Sequence, residues 1–175
     1  MRIVNAAPLD LPRLPRKYRR RRGGWCYSLA GMGAMLHPSW TLVQGMGRAT
    51  DGGITGHAWL ERDGWAFDAV LDRAFELRKY LPRFRAVELG RWHGAQVAAA
   101  RAEHGHWGPW LDQEEARRVY DARWAEHEPE YEAAQARDQE ETVRGLLDLI
   151  DGLDDARLVA LHRAVTSIGA PHAQP

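Results

Sequence analysis

Two short runs, Thr55-Gly56-His57-Ala58-Trp59-Leu60-Glu61 and Trp65-Ala66-Phe67-Asp68-Ala69-Val70, constrain this chain more than any other stretch. They flank Arg62-Asp63-Gly64, and an Asp-Gly step between such runs is a β-hairpin signal. If Asp63-Gly64 form the loop, Arg62 pairs with Trp65, Trp59 faces Asp68, and His57 is the diagonal neighbour of Asp68. If Arg62-Asp63 form it, Glu61 pairs with Gly64 and His57 lies directly opposite Asp68. Either two-residue loop sets imidazole and carboxylate on one face, with Cβ atoms about 5–8 Å apart. A three-residue loop would separate them, because a one-residue slip swaps faces.

Upstream stands the only cysteine of the 175 residues. Cys26 follows Gly23-Gly24-Trp25 and opens a run to Leu36 with apolar residues at near-helical spacing (Leu29, Met32, Ala34, Met35, Leu36). A thiol in the first turn of a helix sits in the field of unpaired N–H groups, which favours thiolate. Such a nucleophile needs a base and a group that orients the base. His57 and Asp68 supply both, so Cys26, His57 and Asp68 are the candidate catalytic residues.

A helix-start Cys, then His57-Ala58-Trp59 on a strand, then Gly64-Trp65 and Asp68 on the next, resembles the transglutaminase-like branch of the papain-like cysteine hydrolases. Leu42-Val43-Gln44-Gly45 followed by His57-Ala58-Trp59-Leu60-Glu61 is also similar to the small cysteine proteases that cut leader peptides in lasso-peptide maturation. The likeness spans about Trp25 to Val70. It implies Cys26 as nucleophile, His57 as base and Asp68 as its orienter. The backbone N–H of Cys26 is the natural first oxyanion donor. No glutamine precedes Cys26, where papain-type enzymes place a second donor, so Gln44 and Trp25 stand as candidates for that role. Trp59 and Trp107 complete the pocket candidates.

Composition fits a globular protein with one real core: 45% hydrophobic, 27% charged, eight tryptophans. No run approaches the roughly 20 apolar residues of a membrane span, and no apolar signal-peptide stretch stands at the N-terminus. One cysteine makes no internal disulfide, so a reducing cytoplasm is expected and a membrane partner is not. The formal net charge of zero hides a split. Residues 1–100 carry 16 basic and 8 acidic side chains, and residues 101–175 carry 8 and 16. That asymmetry favours docking of the two halves on each other.

The chain therefore reads as three parts. Residues 1–19 form an extended arm rich in proline and arginine. The basic residues Arg13, Arg16, Lys17 and Arg19 to Arg22 carry it up to the nucleophile. Such a cluster suits nucleic-acid phosphates or an acidic partner. With Tyr18 its one interleaved aromatic it falls short of a stacking groove, so nucleic acid through Arg16–Arg22 ranks behind a peptide or protein substrate. Residues 20–110 form the Cys-His-Asp domain, with strands at 40–45 and 84–89 and helices at 70–81 and 92–103. In His104-Gly105-His106-Trp107-Gly108-Pro109-Trp110 the two histidines, even with His93 nearby, bring neither a partner cysteine nor a His-Glu-x-x-His pattern. No metal and no cofactor are expected. Residues 111–175 form an acidic helical extension: one helix to about Glu128, a second from Pro129 to about Ile150, and a third from Asp154 or Asp155 with Leu158, Leu161, Val165 and Ile168 on one face.

The fold class expected is α+β, a papain-like core with a C-terminal helical extension. The function expected is a cysteine-dependent hydrolase or acyl transferase acting on a peptide or amide bond. The alternative is a non-enzymatic interaction module of phage or mobile-element type, in which basic arm and acidic helices bind a partner and Cys26 is merely buried.

Overall fold

The computed structural model describes residues 10–12, 24–49, 51–154, 157 and 159. The basic cluster at 13–22 and most of the third expected C-terminal helix lie outside them. The chain divides into two compact units, Met1–Gln135 and Ala136–Pro175.

The first unit is α+β. Helix α1 (Cys26–Leu36) leads into β1 (Thr41–Arg48), β2 (Ile54–Arg62), β3 (Trp65–Asp68) and β4 (Arg73–Glu76). Helix α2 (Leu77–Arg83), β5 (Val87–Trp92), α3 (Gly94–His104) and α4 (Gln113–Asp151) follow. The five strands form one sheet in the order β4-β3-β2-β1-β5, with every neighbouring pair antiparallel.

Strand alternation distributes the core over both faces. On one, Leu42, Ala58, Leu60 and Phe67 meet Leu29, Ala30 and Ala34 of α1 and Val97 of α3. On the other, Val43, Trp59 and Ala66 meet Tyr80 of α2 and Ala86. A third cluster joins Met46 and Val87 to Ala116 and Tyr120 near the start of α4. The small residues Ala30, Gly31, Gly33 and Ala34 make α1 thin, and all four are buried. The Trp107 ring lies against Gly31 so closely that a Cβ there would come within 2.5 Å of it. Ahead of α1, Leu11 packs on the first cluster and Asp10 holds Arg62 in a two-pronged ion pair at 2.7 and 2.5 Å.

The helix expected at 70–81 forms only from Leu77 onward. Asp72 takes φ 56°, the chain turns back, and Arg73–Glu76 pairs with β3 as β4 before α2 begins at Leu77. Leu71, Ala74, Phe75 and Leu77 fit a helical stripe, but an unpaired edge on four-residue β3 outbids the local pattern. The helix break expected at Pro129 is absent, since α4 runs through it. A proline in a helix interior forfeits a hydrogen bond and crowds the preceding turn. Aromatic contacts bridge the lesion: the Tyr131 ring stacks 5.7 Å from His127 and lies 5.3 Å from Trp124.

In the second unit α4 carries Val143, Leu146, Leu147 and Ile150 at the i, i+3, i+4, i+7 spacing of one helical face. All four are exposed. Among the described residues no helix is long and apolar enough to cross a membrane.

Candidate active site

The hairpin closes on Asp63-Gly64. Both residues have positive φ, 50° and 80°, as a type I′ turn requires. Arg62 pairs with Trp65, Glu61 with Ala66 and Leu60 with Phe67. Continued one step, this register sets Trp59 opposite Asp68 and makes His57 its diagonal neighbour, the first of the two arrangements expected.

Side chains close that diagonal. His57 Nε2–H donates to Asp68 Oδ2 over 2.9 Å. The other carboxylate oxygen, Oδ1, accepts from the backbone N–H groups of Val70 and Leu71 at 2.9 and 3.0 Å. The turn after β3 therefore orients the carboxylate. With Nε2 committed to Asp68, Nδ1 is the ring nitrogen left for a second partner. The Cys26 side chain also acts on the imidazole, raising its pKa alongside Asp68.

Cys26 is the first residue of α1 and is only 9% exposed. The N-cap is Trp25, which offers no side-chain cap to the helix. A serine or aspartate there would satisfy one N–H of the first turn, worth about 1 kcal/mol. The N–H groups of a first turn favour negative charge beside them.

The electrostatics match this geometry. Burial works against charge on His57, but the Asp68 carboxylate and the Cys26 side chain outweigh it and raise its pKa to about 9. Burial likewise works against charge on Asp68, and the His57 bond and charge, the Leu71 N–H and a phenol from α2 together hold its pKa below the ordinary value. Burial, with the Cys26 charge adding to it, pushes the neighbouring Tyr27 phenol well above its usual range.

That phenol from α2 belongs to Tyr80. Its hydroxyl donates to Asp68 Oδ2 at 3.0 Å and stands 3.1 Å from His57 Nε2. Sequence reasoning missed it, because in a run read as helix Tyr80 counts only as one more apolar position.

The remaining sequence candidates are scattered. Trp59 stacks on His57 with ring centroids 6.1 Å apart and planes 23° apart. Its indole N–H donates to Glu61 at 2.8 Å, and Arg91 in turn donates to Glu61 at 2.7 Å. Gln44 is fully buried and clamps the aromatic turn: Nε2 donates to Trp107 O at 3.3 Å and Oε1 accepts from Trp110 N at 3.1 Å. Trp107 packs on the α1 face of the core beneath Arg101, whose guanidinium lies 4.4 Å from the ring centre. Trp25 is half exposed beside the thiol. His93 caps α3 and bonds Thr41, while the His104 ring stacks on Trp110. No group of three His, Cys, Asp or Glu side chains suited to a metal occurs among the described residues.

Comparisons with protein-family models, curated proteins and solved structures find no match to this chain. A thiol near an imidazole that a carboxylate holds can pass a proton from sulfur to nitrogen, and the carboxylate steadies the resulting imidazolium.

Proposed function

We propose that this protein is a cysteine-dependent hydrolase or acyl transferase acting on a peptide or amide bond. One observation carries the reading: the imidazole on which the sole thiol acts, from the first residue of a helix, is held by a carboxylate that is itself locked by two backbone N–H groups. A buried cysteine serving only as filler has no use for that arrangement. A Cys-bearing helix packed on an antiparallel sheet, with His and Asp on adjacent strands, also supports the papain-like, transglutaminase-like reading of the fold.

With its pKa at about 9, His57 already holds a proton on Nδ1 near neutral pH, and Cys26 Sγ attacks the carbonyl carbon as the thiolate partner of that imidazolium. The carbonyl oxygen becomes an oxyanion facing the N–H of Cys26. When the C–N bond breaks, the imidazolium proton passes to the departing amine and leaves a thioester. Water or another amine, deprotonated by His57, then releases the acyl group. Asp68 keeps Nε2 protonated throughout, which leaves Nδ1 as the base.

The test is the pH dependence of Cys26 alkylation by iodoacetamide, in the native protein and in His57→Ala. Reactivity well below the ~8.5 pKa of an ordinary thiol, lost in the variant, is the result expected. A thiol that stays silent until the protein unfolds, or that ignores the loss of His57, would sink the proposal. A second reading, the interaction module, draws on the exposed Val143, Leu146, Leu147 and Ile150, but leaves the thiol–imidazole–carboxylate line without a purpose.

A further inference from the structure

Tyr80 lies outside the three-residue scheme, yet its hydroxyl faces two of its members, Asp68 and His57. It is fully buried, and its ring packs among Trp59, Phe75 and Phe84 with centroids 5.7, 5.6 and 4.8 Å away. A buried phenol needs one good partner. This one faces two. Its proton goes to Asp68 Oδ2, and that leaves its oxygen lone pairs toward His57 Nε2–H.

We propose that Tyr80 is a positioning residue of the site, fixing the Asp68 carboxylate and the His57 ring so that Nδ1 stays on the thiol. The proposal rests on the reading of Cys26 and His57 as a working pair and deepens it. Without the hydroxyl, Oδ2 would hold the imidazole through a single bond, and the ring could swing about it. With the hydroxyl, the shared N–H lies between two oxygens from different elements, β3 and α2. The carboxylate also gains its fourth donor, after Val70, Leu71 and His57, so its lone pairs are filled and its plane is set. Tyr80 touches neither the thiol nor a reacting carbonyl; it acts through its neighbours. The rigid aromatic cage explains how a phenol on short α2 is aimed so closely.

Among the described residues, His57 from β2 and Tyr80 from α2 act on Asp68, Cys26 from α1 and Glu61 from β2 act on Tyr80, and Arg73 pairs opposite Asp68 on β4. Against that background Tyr80→Phe removes one oxygen and keeps the ring. Two readouts follow. Alkylation of Cys26 at pH 6 should slow about threefold to tenfold, the worth of one net hydrogen bond. The Asp68 carboxyl, followed by carbon NMR, should titrate about one pH unit higher for want of a donor. Tyr120→Phe is the matched control, since its hydroxyl donates to Arg85 O at 3.2 Å in a different cluster; it should leave both readouts at wild-type values. In the unaltered protein, the Tyr80 hydroxyl proton should give a protected NMR resonance with a cross-peak to the His57 ring N–H.

A Tyr80→Phe protein matching wild type in both readouts overturns the proposal, as does a Tyr120→Phe protein that moves as far. Absence of the cross-peak in the wild type overturns it even if Tyr80→Phe does not fold. Each of these is distinct from failure of the catalytic reading, which would appear as a wild-type thiol unaffected by His57→Ala.

Discussion

At the residue scale, His57 links pH to stability. Its pKa rises from about 6.5 in an unfolded chain to about 9 in the fold, with burial opposed and outweighed by Asp68 and Cys26. A raised pKa means the folded state binds the proton more tightly. The contribution is therefore complete below about pH 6.5 and fades as pH climbs through 9. Asp68 shows the opposite sign: its lowered pKa gives stability above the ordinary carboxylate range that disappears on acidification. The two describe one interaction, so its energy counts once. Between pH 6 and 9.5, wild-type unfolding free energy should drop by up to about 3 kcal/mol more than that of His57→Gln. Urea titrations of both proteins at three pH values measure the difference, and a gap that stays constant with pH would refute the assignment.

At the element scale, the site depends on how closely β1 approaches its neighbours. Gly45 pairs with His57 on β2 and with Glu88 on β5, at a register shift between Gln44 and Gly45. A Cβ on Gly45 would run into the Val87 carbonyl oxygen and would meet the Trp59 ring at 2.9 Å. That oxygen is backbone and cannot swing aside, and Trp59 is the ring beneath His57. Gly45→Ala should thus cost about 1–3 kcal/mol, as overpacking does, and slow Cys26 alkylation as well. Thermal melts with the iodoacetamide assay check both; a variant as stable and as reactive as wild type would contradict this packing.

The same scale shows what could be read in advance. The hairpin was legible because Asp63-Gly64 is a chemical instruction, two residues that tolerate positive φ, and because strand alternation then fixes which face His57 and Asp68 share. Helix α1 was legible from its glycine-led start and apolar spacing. Strand β4 was not: Ala74, Phe75 and Leu77 suit either period, and what decides between them is the open edge of β3, a tertiary demand. Tyr80 was hidden for the same reason, since only the turn at Asp72 brings α2 back over the site. Gln44 shows a second role that the sequence hid: one amide N–H and the amide oxygen clamp the 107–110 turn, more than 60 residues downstream.

For the whole molecule, the two compact units divide the chemistry unevenly. Cys26, His57, Asp68 and Tyr80 all belong to the unit that ends at Gln135, together with all three apolar clusters. The last side chain of that unit still bonds the sheet domain, Gln135 Nε2 donating to Pro82 O at 3.1 Å. Beyond it the described residues of α4 are almost all exposed. Burial of apolar area dominates folding stability, and a chain ending after Gln135 retains these three clusters. Such a protein should melt within a few degrees of the full chain and keep its His57-dependent alkylation profile. It should also be the less prone to self-association of the two, because Val143, Leu146, Leu147 and Ile150 leave with the removed segment. Calorimetry, alkylation and light scattering on the two chains test these expectations separately. Loss of cooperative melting would mean that residues 136–175 carry stability the first unit needs. A normal melt with altered alkylation would mean that they act on the site itself.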